Sequence, residues 1–175
     1  MSVRVIIMEN KLPTRKKHRL EKYDYSSVGS YFITICILDR KVMLWDNSVG
    51  ASIARPQDVP LSSYGKIVDD CIKKISERYE MVSVDYYVIM PDHLHLLLTI
   101  HSDKDKRAML APIEHHAPTV GNIVCQFKGS VTKQIGKSIW QKSFYDHVIR
   151  SSDDYDKTVE YIYQNPLRWQ YKIAP

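Results

Sequence analysis

Two histidines stand two residues apart in the apolar segment HLHLLLTI, which begins at His93. In a strand, alternate side chains point to the same side, so His93 and His95 would emerge together with their Cα atoms about 6.5 to 7 Å apart. A single histidine in an apolar strand is usually a structural residue. Two histidines on one face are harder to explain in this way, because burial of each polar ring costs free energy, and they favour a pair of metal ligands. The spacing therefore predicts that these imidazoles bind one metal ion.

A third metal ligand has to come from another element, because the rest of this segment is apolar. The sequence DDYDKTVEYIYQNP predicts a helix, and its apolar stripe consists of Tyr155, Val159 and Ile162. Tyr161 and Asn165 lie one turn apart on the adjacent face, whereas Tyr163 projects nearly opposite to Asn165. By itself Tyr161 would be read as a packing residue. In combination with the histidine pair, helical geometry selects it from the chain's twelve tyrosines.

This combination of residue types suits the chemistry of a phosphodiester. That reaction needs a nucleophile in line with the leaving oxygen and a Lewis acid that stabilises developing charge. A tyrosine phenolate that attacks phosphorus forms a covalent phosphotyrosine. A DNA 3′-hydroxyl can then attack this intermediate and rejoin the strand without a nucleotide cofactor. Two imidazoles and an amide oxygen leave coordination positions open, and Mg²⁺ or Mn²⁺ is the expected metal. The residues predict a strand transferase, not a hydrolase.

The remaining pattern predicts the elements that position these residues. Strands are expected at 31–38, at 82–90, at 93–100 after a turn at Pro91 and Asp92, and within 139–150. Helices are expected at 62–79, capped by Ser62 or Ser63, at 119–135 before Gly136, and from the capping box of Ser151 and Asp154 to near Pro166. This order predicts an α+β ferredoxin-like sandwich, like that of RNA-recognition domains, with helices on one face of an antiparallel sheet.

Length and composition predict one domain, 23–175, after a basic arm, 1–22. The net charge of +5 and the pI near 9.0 suit a polyanionic partner, as they also suit many basic proteins that bind no nucleic acid. No stretch is apolar enough to cross a bilayer and no export signal is recognised, so no membrane partner is expected. The three cysteines are expected to be buried thiols in a reducing cytoplasm.

The motif His93-Leu94-His95 is the His-hydrophobic-His signature of the HUH endonucleases, and the chain resembles their single-tyrosine branch, the IS200-like transposases. The resemblance covers nearly the whole chain. It is most specific for the REP-associated tyrosine transposases, through the segments YDYSSVGSYFITIC (23–36), VIMPDHLHLLL (88–98), FYDHVIR (144–150) and YIYQNP (161–166).

The resemblance implies a metal held by His93, His95 and a helix amide, and a 5′-phosphotyrosine formed by Tyr161. Asn165 follows the REP-associated pattern for the amide, with Gln164 as the weaker candidate. The implied partner is single-stranded DNA beside imperfect hairpins, in a cytoplasmic, nucleoid-associated protein that works as a monomer or a homodimer. Basic residues near the N-terminus would then contact DNA. The candidates for DNA contact are Arg15, Lys16, Lys17 and Arg19, with Lys128 and Lys133 further along the chain.

Some alternatives stay open at this point. The basic run beginning at Arg15 is equally compatible with a solvated tail. Asp146 and His147 are expected to make structural hydrogen bonds rather than to act in catalysis, and His115 and His116 are expected to be solvated. A non-catalytic single-strand binder on the same fold is the second functional hypothesis. A replication initiator of the same superfamily is the third, and it would usually need a longer chain.

Overall fold

In a computed structural model, the described residues are 20, 23–46, 58–102 and 118–173, with side chains described as far as 169. The strands are β1 (Gly29–Cys36), β2 (Val82–Ile89), β3 (His93–Ile100) and β4 (Tyr145–Val148). The helices are α1 (Ser63–Arg78), α2 (Val120–Ile135) and α3 (Ser152–Ile173). The predicted arm, with Arg15, Lys16, Lys17 and Arg19, lies outside the described residues, as do His115 and His116.

The four strands form one antiparallel sheet in the order β2-β3-β1-β4. With α1 between β1 and β2, and α2 between β3 and β4, this is the predicted ferredoxin-like order followed by an additional helix. Strand β3 occupies a central position because its even-numbered residues, from Leu94 to Ile100, are fully buried in the core. The histidine motif therefore stands on one of the two inner strands. Within the described chain, no helix is long and apolar enough to cross a bilayer.

The two faces of the sheet have different coverings. Tyr31, Ile33 and Ile35 of β1 point to one face, where they are completely buried in the core that α1 and α2 complete. Phe32 and Thr34 point to the opposite face, beside His95 in the neighbouring strand. Helix α3 lies across this second face. The face that the sequence left available for a ligand is therefore partly covered by the helix that carries Tyr161.

The helix caps agree with the sequence signals. Ser62 accepts a hydrogen bond from the backbone N–H of Gly65, Thr119 caps α2 in the same way, and Gly136 ends α2 in the left-handed conformation. At α3, the Ser151 hydroxyl accepts from the N–H of Asp154. The Asp154 carboxylate accepts in return from the N–H of Arg150, one residue before the position that a capping box uses. The predicted caps Ser62, Gly136 and Ser151 are confirmed, and only the reciprocal hydrogen bond of the predicted capping box differs.

The predicted end of α3 near Pro166 was wrong, because the helix runs through the proline to Ile173. A proline inside a helix removes one backbone hydrogen bond and costs about 3 kcal/mol. The residues beyond it have favourable tertiary contacts that offset this cost: Trp169 packs against Trp45 and against the His93 ring, with ring centroids 6.5 and 6.3 Å apart. Packing of the extra turns thus outweighs a strong local stop signal.

Two smaller expectations also needed correction. Strand β1 covers Gly29–Cys36 and not 31–38, because Cys36 pairs with the first residue of β3 and Ile37 instead bridges to Trp140. Cys36 and Cys71 are buried thiols as expected, but Cys125 is exposed on α2.

Two helix glycines offer a matched test of this packing. A Cβ added to Gly65 would lie 2.1 Å from the Leu44 carbonyl oxygen, whereas one added to Gly129 would meet nothing within 4 Å. We expect Gly65→Ala to lower the free energy of unfolding by at least about 2 kcal/mol through overpacking. Gly129→Ala should raise it by up to about 1 kcal/mol, since alanine favours the helix. Urea unfolding followed by circular dichroism measures both; equal effects would contradict the close α1 contact.

Candidate active site

The two histidines converge through the same ring atom. His93 Nε2 and His95 Nε2 are 3.1 Å apart, and the two rings are nearly perpendicular. When two nitrogens each lie about 2.1 Å from one metal ion and the N–metal–N angle is about 95°, the nitrogens lie about 3.1 Å from each other. The separation therefore fits a shared metal ion.

A different group holds the far nitrogen of each ring. His93 Nδ1 lies 2.5 Å from Asp92 Oδ1, and His95 Nδ1 lies 2.8 Å from the Thr34 hydroxyl. Partners of this kind set the tautomer and orientation of metal-binding histidines. With both Nδ1 atoms engaged, Nε2 is the atom that each ring presents to a ligand.

Burial keeps both imidazoles neutral. It lowers the pKa of His95 to about 3, and the charges of His93 and Arg40 add to this shift. Burial also lowers the pKa of His93, although the neighbouring Asp92 carboxylate opposes the effect. Because both pKa values lie below the ordinary value for histidine, the rings are uncharged near neutral pH. Neutral imidazole is the form that binds a metal.

Tyr161 lies directly beside this pair in the same chain. Its ring centroid is 5.3 Å from that of His95 and 5.8 Å from that of Phe32, which itself stacks on His95. The side chain is not enclosed, since 39% of Tyr161 is exposed. Tyr161 and both histidines line one open cavity of about 760 Å³. The structure thus brings the sequence-predicted nucleophile and histidine pair together without a second subunit.

The two candidate amides are in different environments. Asn165 is buried, lines the same cavity, and donates its Nδ2 hydrogen to the Tyr161 carbonyl, which leaves its amide oxygen for a ligand. Gln164 is occupied on the helix surface, where it donates to Glu160 and accepts from Arg168. Among the described residues, no cluster of three or more His, Cys, Asp or Glu side chains could hold a metal. Of the two candidate amides, Asn165 is the one that lines the cavity of the histidine pair.

Contacts along the length of α3 dock it on the sheet. At its start, His147 of β4 pairs with Asp154. The next residue, Tyr155, donates its hydroxyl hydrogen to Asp85, which stands at an irregularity in the register between β2 and β3. Beyond Tyr161, Trp169 packs on His93. Because docking points lie on both sides of Tyr161, the position of the helix along the sheet determines where its hydroxyl can reach.

Other sequence candidates lie away from the cavity. Lys128 donates to the carbonyl oxygens of Gln141 and Ser143, and burial lowers its pKa. Lys133 lines a groove between α1 and α2, in the layer on the opposite side of the sheet from the histidines. DNA contact by these two lysines stays a prediction. Asp146 accepts a hydrogen bond from Tyr25, so Asp146 and His147 both have the structural partners that were expected.

Sequence reasoning missed several residues at the site. Asp92 was interpreted only as a turn residue, although its place next to the histidine motif was a usable signal. Thr34 needed the register between β1 and β3, which the sequence does not supply. Trp169 lies beyond the proline where the helix was expected to end. Arg40, which also lines the cavity, was visible only as part of the charged end of a strand.

The chain is similar to known proteins along most of its length. An uncharacterized protein of Haemophilus influenzae is 34% identical over 169 residues, which cover 89% of this chain and 90% of the relative. A REP-associated tyrosine transposase of Escherichia coli is 25% identical over 146 residues, which cover 82% of this chain and 70% of that protein. The chain is thus similar, over most of its length, to REP-associated tyrosine transposases. This confirms the resemblance found in the histidine motif and in the segment YIYQNP.

A solved structure extends the comparison to the fold. The structure of a REP-associated tyrosine transposase bound to a REP hairpin superposes with a TM-score of 0.60 at 22% identity, over 86% of this chain and 73% of that chain. The α+β fold with a C-terminal helix is therefore shared with this solved transposase. No protein-family model matches the chain.

Proposed function

We propose that this protein cuts and rejoins single-stranded DNA at sites beside hairpins, with Tyr161 as the nucleophile. The observation that carries the proposal is the position of Tyr161, partly exposed in the cavity that His93 and His95 also line. A tyrosine that only packed would have no need of two neutral, oriented imidazoles beside it. The transposase relatives support DNA as the substrate, and one of them was solved with a REP hairpin.

In the proposed reaction, the Tyr161 oxygen bonds to phosphorus and the bond from phosphorus to the DNA 3′ oxygen breaks. The phenol loses its proton to solvent and the leaving 3′ oxygen gains one, so the products are a 5′-phosphotyrosine and a free 3′-hydroxyl. A DNA 3′-hydroxyl can then attack the phosphorus of the phosphotyrosine, which releases Tyr161 and rejoins the strand. The packing of Tyr161 against the stacked rings of Phe32 and His95 limits the motion of its ring, which favours attack from one direction.

His93, His95 and Asn165 would hold the divalent metal of this reaction. The separation of the two Nε2 atoms, the neutral imidazoles and the amide oxygen of Asn165 all fit such a set of donors. When bound, Mg²⁺ or Mn²⁺ would supply a Lewis acid for the non-bridging oxygens of the phosphate. Asp92 and Thr34 keep the two rings in the orientation that the metal needs.

The test is capture of a covalent adduct. Purified protein is incubated with sheared, heat-denatured DNA of its own organism and Mn²⁺, denatured with detergent, and the attached strands are sequenced. We expect one protein molecule joined to a DNA 5′ end, at positions next to imperfect hairpins. If the protein binds these strands but forms no adduct with any divalent metal, the non-catalytic binder is the correct function.

The two amides can be separated by their effect on metal affinity. We expect Asn165→Ala to weaken Mn²⁺ binding at least about 10- to 100-fold, the loss seen even for groups that only support a ligand. Gln164→Ala should leave the affinity unchanged, because that side chain pairs with its helix neighbours. Titration calorimetry measures the affinities, and circular dichroism checks that α3 is intact. An equal loss in both variants would refute the choice of Asn165.

A further inference from the structure

The cavity that holds the histidines also carries positive charge. Two arginines line it, Arg40 from the turn after β1 and Arg168 from α3, and none of the described residues that line it is acidic. Arg168 donates to Gln164 on its own helix. Arg40 lies beside Asp92, next to the histidine pair, and its charge is close enough to lower the pKa of both His93 and His95. A phosphodiester that enters this cavity meets that charge.

The backbone that presents Arg40 is strained. Asp39 and Arg40 have φ angles of 54° and 53°, in the left-handed region that non-glycine residues rarely adopt. Such residues cost on the order of 1–3 kcal/mol each and persist only where their surroundings hold them. The N–H of Ile37 donates to the Asp92 carbonyl and that of Leu38 to the Ile139 carbonyl, so the turn is tied down just before the strained pair. Backbone strain that is maintained beside a cavity indicates that the side chain presented by the turn functions in that cavity.

Asp92 links this turn to the histidines. One carboxylate oxygen bonds to His93 Nδ1, and the other lies 3.4 Å from Arg40 Nη1. Asp92 is buried, but 51% of the Arg40 side chain is exposed and the contact is long, so the pair adds little stability. A guanidinium has five N–H donors, and Asp92 engages only one of them. The pairing therefore restrains Arg40 beside the site and leaves most of its donors available.

We propose that Arg40 binds a non-bridging oxygen of the phosphate that Tyr161 attacks. This inference rests on the proposed function. While the bond from the Tyr161 oxygen forms and the bond to the 3′ oxygen breaks, negative charge on the non-bridging oxygens must be stabilised. Arginine suits this task, because it stays charged and its planar donors match phosphate oxygens. Arg40 is then a catalytic residue that acts in addition to the metal ligands.

The test compares a charged and an uncharged phosphate. The probe is a strand mapped by adduct capture, made with its scissile phosphate either native or replaced by a methylphosphonate, which lacks the negative charge. Binding is measured in EDTA with Tyr161→Phe protein, so that neither metal nor cleavage contributes. We expect the methylphosphonate to weaken binding roughly 10- to 100-fold, as for loss of a hydrogen bond to a charged group. Adding Arg40→Ala should weaken binding of the native strand by a similar factor and abolish the difference between the two probes.

The exposed neighbour Lys41, which does not line the cavity, provides the control. Lys41→Ala should preserve the full difference between the probes, and Arg40→Lys should preserve part of it. If Arg40 only supported Asp92 and His93, its loss would weaken both probes equally, and that result would overturn the proposal. If wild-type protein forms no adduct at all, the proposed function fails first and the Arg40 inference falls with it.

Discussion

Tyr161→Phe is expected to abolish the covalent adduct, with the rate of strand cleavage falling by on the order of 10⁴-fold or more, as when a covalent nucleophile is removed. The substitution deletes one oxygen and keeps the ring that packs on Phe32 and His95. The fold and the affinity for single-stranded DNA should therefore be retained. The measurement is a time course of adduct formation on a denaturing gel, beside a binding titration with the same strand.

Tyr163→Phe is the matched control for this experiment. Tyr163 lies two residues away on α3, is exposed to a similar extent, and packs on Tyr86 rather than at the histidines. Its hydroxyl should be dispensable, so the variant should form adduct at the wild-type rate. An adduct that survives Tyr161→Phe and disappears in Tyr163→Phe would show that the wrong tyrosine has been assigned.

His95→Ala is expected to have the second largest effect. His95 is 4% exposed, is held by Thr34 and Phe32, and faces His93, so the substitution removes a proposed metal ligand and leaves a cavity. We expect Mn²⁺ binding to be lost and cleavage to fall roughly 10³-fold, because stabilisation of the transition-state charge is lost. Binding of single-stranded DNA in EDTA should persist. Mn²⁺ affinity is measured by electron paramagnetic resonance of the free ion.

His147→Ala controls for the general effect of removing a histidine from this face of the sheet. His147 lies across from Phe32 on the edge strand β4, where it pairs with Asp154 and does not line the cavity. Metal affinity should be unchanged in this variant, although the start of α3 loses a contact. Retention of Mn²⁺ binding and cleavage by His95→Ala would exclude the proposed metal site.

The arrangement of Tyr161 and the histidines in one chain bears on whether the proposed reaction needs a second subunit. Because α3 docks on the sheet of its own chain, a single protomer contains every residue that the proposed reaction uses. A homodimer stays a prediction, and the proposed mechanism does not depend on it. The DNA sequence recognised and the role of the basic arm are likewise open to the adduct-capture experiment.

Much of the fold was predictable because its signals are local. A strand's alternation places His93 and His95 on one side whatever they pack against, and a helical turn brings Tyr161 next to Asn165 in any helix. Cap residues such as Ser62 and Gly136 act on their own backbone, so the ends of α1 and α2 were predicted to within a residue or two. The family resemblance connected the histidine pair with the helix of Tyr161. Sequence periodicity cannot show that the two come together.

The sequence by itself determined which residues could be ligands and nucleophile, since residue type and spacing are properties of the chain. Only the tertiary structure decided what orients and surrounds them. Thr34 contacts His95 because of the register between β1 and β3. Helix α3 continues past Pro166 because Trp169 packs on Trp45. Arg40 reaches the site through a strained turn tied to the Asp92 carbonyl. These contacts join residues far apart in sequence, and their free energies exist only once the sheet and its helices have packed.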